Sequence, residues 1–462
     1  MRKKVSMVLV SLMIMGSLAA CGSKENSSSA VNKSATLGND TEINLSEKSA
    51  DTENEKRVNK KQENENATST AEESEKFMKG KQESEKQNSE PEEQGTENEK
   101  SEKQNRENST TSGSEELFTD RDLTMEADLS NAETIELSDG KDVTIDKEGV
   151  YVIKGTAKNS SLVIDADKES KVQLVLDGVN ISNETVPCIY VKKADKVFVT
   201  TTNSENNLEV SGTFTNDGEN DLDAVIFSKE DIVINGLGTV NIKSTDNAVS
   251  SKDTLKITGG TINIDCDGNA LRAHDSIDVY DGKINIANCN DGLHAEDSDD
   301  DSLGSINICN GEFNIVANDD AIHATTTIKI EGGTFDLVGR ECMEGTYIEI
   351  DDGNIKIEAS DDGINAAAKS DKYTPTFILN GGNVTIEMGQ GDTDGVDSNG
   401  NIYINGGVIS INGQSTFDYD GEAVYSGGTI IENGQETNEI SNQFMGGGHG
   451  GMREPDGMGG RP

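Results

Sequence analysis

Between about residues 230 and 412, apolar and polar positions alternate in a phrase that keeps returning. Leu255 to Ile264 reads LKITGGTINI, and the pattern recurs at Ile277 to Ile286, Ile306 to Ile315, Ile328 to Leu337, Ile348 to Ile357, Phe377 to Ile386 and Ile402 to Ile411. Period-two alternation marks a half-buried strand, so each copy predicts two strands joined by a glycine turn. The successive glycines Gly238, Gly260, Gly282, Gly311, Gly333, Gly353, Gly382 and Gly407 lie 20 to 29 residues apart, with 22 the recurring interval. A repeat of that length with no helical stretch predicts a solenoid of stacked β coils. Leucine-rich repeats would need a leucine ladder, and glycine-rich calcium repeats a period of nine; neither is present. The expected fold is all-β, a parallel β-helix with coils of about 22 residues. Ile262, Ile264, Ile284, Ile286, Phe313, Ile315, Phe335 and Leu337 would stack inward, coil on coil, about 4.8 Å apart. Residues 117–228 carry looser strand patterns, such as Val172 to Leu176, and are expected to form irregular early coils and a cap.

The flanks follow a different pattern. Arg2, Lys3 and Lys4 precede an apolar run from Val8 to Met15, which ends in Leu18, Ala19, Ala20 and Cys21. This is a secretory signal of the lipoprotein kind over residues 1–20, too short for a lasting membrane span. Cleavage would leave Cys21 to carry lipid, tethering the chain to the outer face of a cell membrane. Residues 21–116 are polar, with almost no aliphatic clusters, and are expected to be a disordered linker. The domain is expected over 117–440, with a disordered Gly- and Met-rich tail over 441–462.

Charge changes the picture further. The net charge is -46, and from Leu117 onward there are 63 acids against 23 bases, so the excess lies in the folded part. That sign excludes nucleic acid as a partner. Cys188, Cys266, Cys289, Cys309 and Cys342 are odd in number and lack C-x-x-C spacing, so they read as small buried side chains rather than a disulfide framework or zinc site.

An acidic turn follows each strand pair, and stacking would bring Asp246, Asp267, Asp291, Asp319, Asp320, Asp361, Asp362, Asp392 and Asp394 along one edge. Two carboxylates about 5 Å apart repel by roughly 3 kcal/mol at an effective dielectric near 20. Such a column, with Glu296 and Asp297 from the nearby acidic run, is expected to hold Ca2+, which takes six to eight oxygen ligands in flexible geometry. The alternative is that these residues serve as turn formers. A second column reads Ser250, Arg272, His294, His323, Glu344, Asn365 and Asp397, a mixture suited to sugar hydroxyls and carboxylates. The extra residues of the two longest coils, near 296–303 and 369–375, follow it directly and would wall a groove. An exposed hydrogen-bonding ladder without a ligand is the alternative. His294 and His323 are also possible zinc ligands, although no third histidine joins them in this column. With no Trp and few aromatics, stacking platforms are scarce; Tyr419, in the phrase FDYDG, is the best candidate.

Five phrases carry a resemblance: EGVYVIKG (Glu148 to Gly155), VQLVLDG (Val172 to Gly178), IHATTT (Ile322 to Thr327), GDTDGVDS (Gly391 to Ser398) and TFDYDG (Thr416 to Gly421). Residues 117–434 resemble the bacterial carbohydrate-binding domain family of parallel β-helix surface proteins, related in fold to calcium-dependent pectate lyases. The resemblance implies a right-handed β-helix on a Gram-positive cell surface, bound calcium, and affinity for acidic plant polymers such as polygalacturonate or for cellulose-like glucans. It leaves a pectate-type lyase as an alternative, with Arg272 and Lys369 the plausible bases, and a non-catalytic structural or adhesion rod as another. Neither base sits in a phrase that matches a lyase site, so binding rather than cutting is the expected function.

Overall fold

A computed structural model describes residues 117–391 and 393–443. The signal segment, Cys21, the polar linker to residue 116, Asp392 and the tail from residue 444 lie outside the described residues. Within them the protein is all-β: 34 strands and no α-helix, so no helix is long and apolar enough to cross a membrane. The pairing is parallel throughout except for the closing hairpin of Thr429–Glu432 with Gln435–Thr437.

Each coil contributes three strands, and each strand pairs in register with its counterpart in the coils before and after. One ladder runs Asp231–Gly236, Leu255–Ile257, Ser276–Val279 and Ser305–Ile308. A second runs Thr239–Ser244, Thr261–Cys266, Lys283–Asn288 and Glu312–Val316. A third runs Asn247–Ser251, Leu271–Ala273 and Leu293–Ala295 into Asp320–Ile330. Such pairing is consistent with a solenoid. The third strand is missing from the two-strand reading of the repeat because three residues are too few to display alternation.

The expected inward positions are core positions. Ile262, Ile284, Phe313, Phe335, Ile355, Val384, Ile409 and Ile430 form one unbroken line, all essentially inaccessible. Phe313 and Phe335 stack face to face at 4.5 Å. The turn glycines from Gly260 to Gly407 named above have φ between +70° and +144°, a region closed to most side chains. No disulfide links the five cysteines of these residues; four are buried, and burial raises the thiols of Cys188, Cys266 and Cys342 to about 12.

Two features went unread in the sequence. Residues 117–128 are a strap laid across the first ladder. Asp122 is fully buried there, its carboxylate 3.4 Å from Lys196 Nζ, while Asn235 Nδ2 donates to the carbonyls of Asp122 and Thr124. Along the second ladder, Asn180, Asn207, Asn241, Asn263, Asn285 and Asn314 bond amide to amide at 2.7–2.9 Å. Depressions of about 510 and 280 Å³ flank this ladder, the larger also lined by Lys243 and Asp265. The ordered chain also runs past the expected boundary at 440, since Gln443 donates its backbone N–H to Phe417 and Asn442 bonds the Tyr419 carbonyl.

Candidate functional site

The third ladder carries the chemistry. Its strands place Ser250, Arg272, His294, His323, Glu344, Asn365, Asp397 and Asp418 in direct register, one per coil. Three residues earlier in each coil stands a second line: Asn247, Asn269, Asp291, Asp320, Glu341, Asp362, Asp394 and Ser415. This line clamps coil to coil. Asn247 Oδ1 accepts from the backbone N–H of Asn269, Asp291 Oδ1 from Asp320 and Asp362 Oδ1 from Asp394, at 2.7–3.1 Å. Glycines follow Asp291, Asp362 and Asp394 for a packing reason. A Cβ on Gly292 would stand 2.4 Å from the Ala321 carbonyl oxygen, and one on Gly363 2.5 Å from that of Gly395.

The single acidic edge expected from the sequence is therefore two lines. Asp246, Asp319 and Asp361 each precede the inner line by one residue and Asp267 precedes it by two, so none of the four belongs to it. Arg340, unread in the sequence, stands between Asp319 and Asp361 at 2.6 and 2.5 Å and also donates to Glu341. Those two expected metal ligands already share one guanidinium. Asp267 is exposed, one residue before Gly268, which holds the outer position in its coil. Asp297 bonds His274 and the backbone N–H groups of Asp299 and Asp300, closing its own loop. Tyr419 belongs to neither line: its ring packs against the core and its hydroxyl donates to the Ile440 carbonyl. The column position in that strand is Asp418, two residues past the Thr416 that opens the phrase TFDYDG.

The column divides electrically. In its middle, His294 Nδ1 lies 2.8 Å from Asp291 Oδ2, and His323 Nδ1 2.8 Å from Asp320 Oδ2. The two imidazoles stack at 4.6 Å, with 11° between planes. Both flanking loops reach back onto the column: Glu296 Oε2 meets His294 Nε2 at 3.1 Å, and Lys369 Nζ meets Glu344 Oε2 at 2.6 Å. Burial pulls the His323 imidazole down, but its bonds to Asp320 and Glu344 outweigh this and hold it at about 9. Burial would raise Glu344, yet His323 and Lys369 keep it at about 2. Burial pushes Asp320 up to about 6 against its bond to His323.

Further along, no salt bridge reaches Asp362, Asp397, Asp418 or Asp420 among the described residues. Burial pushes Asp362 up to about 7, with Asp397, Glu341 and Asp361 adding to it. Burial likewise raises Asp397 to about 6, with Asp418, Asp394 and Asp420 adding. Ser250 Oγ, Arg272 Nε and Asn365 Oδ1 are buried column atoms without a hydrogen-bond partner. Unmet groups of this kind cost on the order of 1–3 kcal/mol each. The groups that bring three potential ligand atoms within 4.8 Å of one another combine His294, Glu296 and His323, or Asp320, His323 and Glu344. Among the described residues, the aspartate lines alone do not converge so tightly.

A family model described as carbohydrate-binding domain-containing protein matches residues 139–345 and 340–443. A relative of the same description from Acetivibrio thermocellus is 34% identical over 123 residues, 26% of this chain and 43% of its own length. The chain thus spans under half of that relative. A solved structure of a polysaccharide lyase-like protein from C. thermocellum, a gadolinium derivative, shares 24% identity over 64% of this chain and 96% of its own, with a TM-score of 0.38. The matched residues take in both lines of the third ladder, and the chain belongs to the family of carbohydrate-binding domain-containing proteins.

Proposed function

We propose that this chain is a right-handed parallel β-helix that binds polysaccharide along the column from Arg272 to Asp418, with Ca2+ required for full affinity. The right hand follows from the preference of parallel strand crossovers. The observation that carries the binding reading is the in-register line of dissimilar polar side chains, one per coil. Seven positions at about 4.8 Å span on the order of 30 Å, a length suited to an extended polymer. The unpartnered Arg272 Nε and Asn365 Oδ1 add hydrogen-bonding capacity that a hydroxyl-rich ligand would use.

Calcium belongs, in this reading, to the far end of the column. Asp362, Asp394, Asp397 and Asp418, with Asn365 Oδ1, make an all-oxygen donor set of the kind hard cations take. A bound cation would relieve the repulsion that raises Asp362 and Asp397, and would supply positive charge for a uronate carboxylate. Binding is favoured over lyase chemistry because both candidate bases are engaged: Arg272 pairs with Asp223 at 3.2 Å and Lys369 with Glu344 at 2.6 Å. The N-terminal segment ending at Cys21 is proposed to carry a lipid that holds the protein on the outer face of a Gram-positive membrane.

The test is retention of the purified protein on polygalacturonate and on cellulose, with calcium and with chelator. Calcium-dependent retention that is lost in Asp397→Asn supports the reading. No retention on any glycan ends it, and equal retention with chelator removes calcium from it.

A further inference from the structure

We propose that His294, His323 and Glu296 form a site for a borderline divalent transition metal, with Zn2+ as its representative ion. This goes beyond the calcium and glycan reading and stands apart from the all-oxygen end of the column. The two imidazoles come from adjacent coils and stack at 4.6 Å. Each Nδ1 is taken by buried carboxylate, that of His294 by Asp291 at 2.8 Å and that of His323 by Asp320 at 2.8 Å and Glu344 at 3.0 Å. That is the arrangement by which a carboxylate fixes the tautomer of a metal-bound histidine and raises its basicity. It leaves Nε2 on the opposite edge of each ring as the donor atom.

The third donor is the loop carboxylate of Glu296, with its oxygen 3.1 Å from His294 Nε2. Donor atoms of all three residues lie within 4.8 Å of one another. Two ligands about 2.0–2.1 Å from one tetrahedral zinc lie roughly 3.3 Å apart. The His294 and Glu296 pair already meets that spacing; a ring nitrogen's lone pair lies in its ring plane, so His323 would turn out of the stack to point its Nε2 at the ion. Imidazole nitrogen selects Zn2+ over Ca2+, and three protein ligands leave a coordination position open toward the column. The competing cluster of Asp320, His323 and Glu344 already has a cation, the Lys369 ammonium at 2.6 Å from Glu344.

The experiment is equilibrium dialysis of the full chain against Zn2+ in excess calcium, without glycan, so its outcome is independent of polysaccharide binding. One zinc per chain is expected. His294→Gln and His323→Gln should each weaken it by at least a hundredfold, and Asp320→Asn by tenfold or more, with folding checked by thermal melts. The chain with Co2+ should also show two paramagnetically shifted imidazole N–H resonances, a readout that needs no variant. No saturable zinc uptake, or uptake unchanged in both histidine variants, would overturn the proposal, as would a cobalt complex with no shifted imidazole signals.

Discussion

The same ladder position is used in two opposite ways along this protein. In the early coils it is held by Thr144, Val163, Tyr190 and Phe227, and from the next coil onward by Ser250, Arg272, His294 and their successors. Over Tyr190 and Phe227 the chain folds the segment between Val210 and Ala224. Leu222 and Ala224 pack on the two rings, and the Tyr190 hydroxyl donates to Asp217 at 2.6 Å. Beyond it the loops reach the column through Glu296 and Lys369. The backbone register is common to both regions. Side-chain identity, with the segment folded over the aromatic pair, separates a sealed seam from a chemically equipped face.

Mutations that sit on either side of this divide should therefore part company. Phe227→Ala removes a fully buried ring from the sealed half and should cost about 3–5 kcal/mol in unfolding free energy. Denaturant titration reads it, while glycan retention by the protein that remains folded should be unchanged. A loss below about 1 kcal/mol would show that the lid is not packed as described. On the equipped half, His323→Ala strands Asp320 and Glu344, both nearly inaccessible, beside Lys369 alone. Breaking a buried pair from one side costs roughly 3 kcal/mol or more, and here glycan retention should fall as well. Stability loss with full retention would move the glycan off this face.

Calcium should separate the halves by condition rather than by residue. A ligand at about 100 times its dissociation constant stabilises the native state by roughly 2.7 kcal/mol. Chelator should lower the melting temperature accordingly. Hydrogen exchange should then rise around Asp362, Asp397 and Asp418 while the early coils stay protected. Uniform loosening of every coil would argue against a cation confined to the far end.

How much of this could be read beforehand follows from what each pattern encodes. Isoleucine alternation and turn glycines report the core directly, because a one-residue slip would expose every Ile262-type position. The column from Ser250 to Asp397 was legible because its strands repeat near-identical phrases such as GLHA and AIHA. The inner line was misdrawn since Asp319 and Asp320, or Asp361 and Asp362, are adjacent letters with different partners: Arg340 for the first of each pair, His323 or the Asp394 backbone for the second. The usable signal was the three-residue step that links Asn269 to Arg272, Asp291 to His294, Glu341 to Glu344 and Ser415 to Asp418. Arg340 and the strap over Asp122 carry no repeat signature at all; tertiary contact alone assigns them.

Arg340 supplies the smallest of these tests and the one that separates the two acidic lines. It is half-exposed and holds Asp319, Asp361 and Glu341. Exposed ion pairs are worth about 0–1 kcal/mol, so Arg340→Ala should cost about 1 kcal/mol, well below His323→Ala. Its cost should shrink between 0.01 and 1 M salt, where the screening length falls from roughly 30 to 3 Å, whereas the cost of His323→Ala should not. The variant also frees two carboxylates that the native fold keeps paired with one guanidinium. If the outer line then takes up calcium that the native protein does not, carboxylate supply alone governs where the ion goes. If calcium uptake is unchanged, the inner line and its Asn365 oxygen set the site.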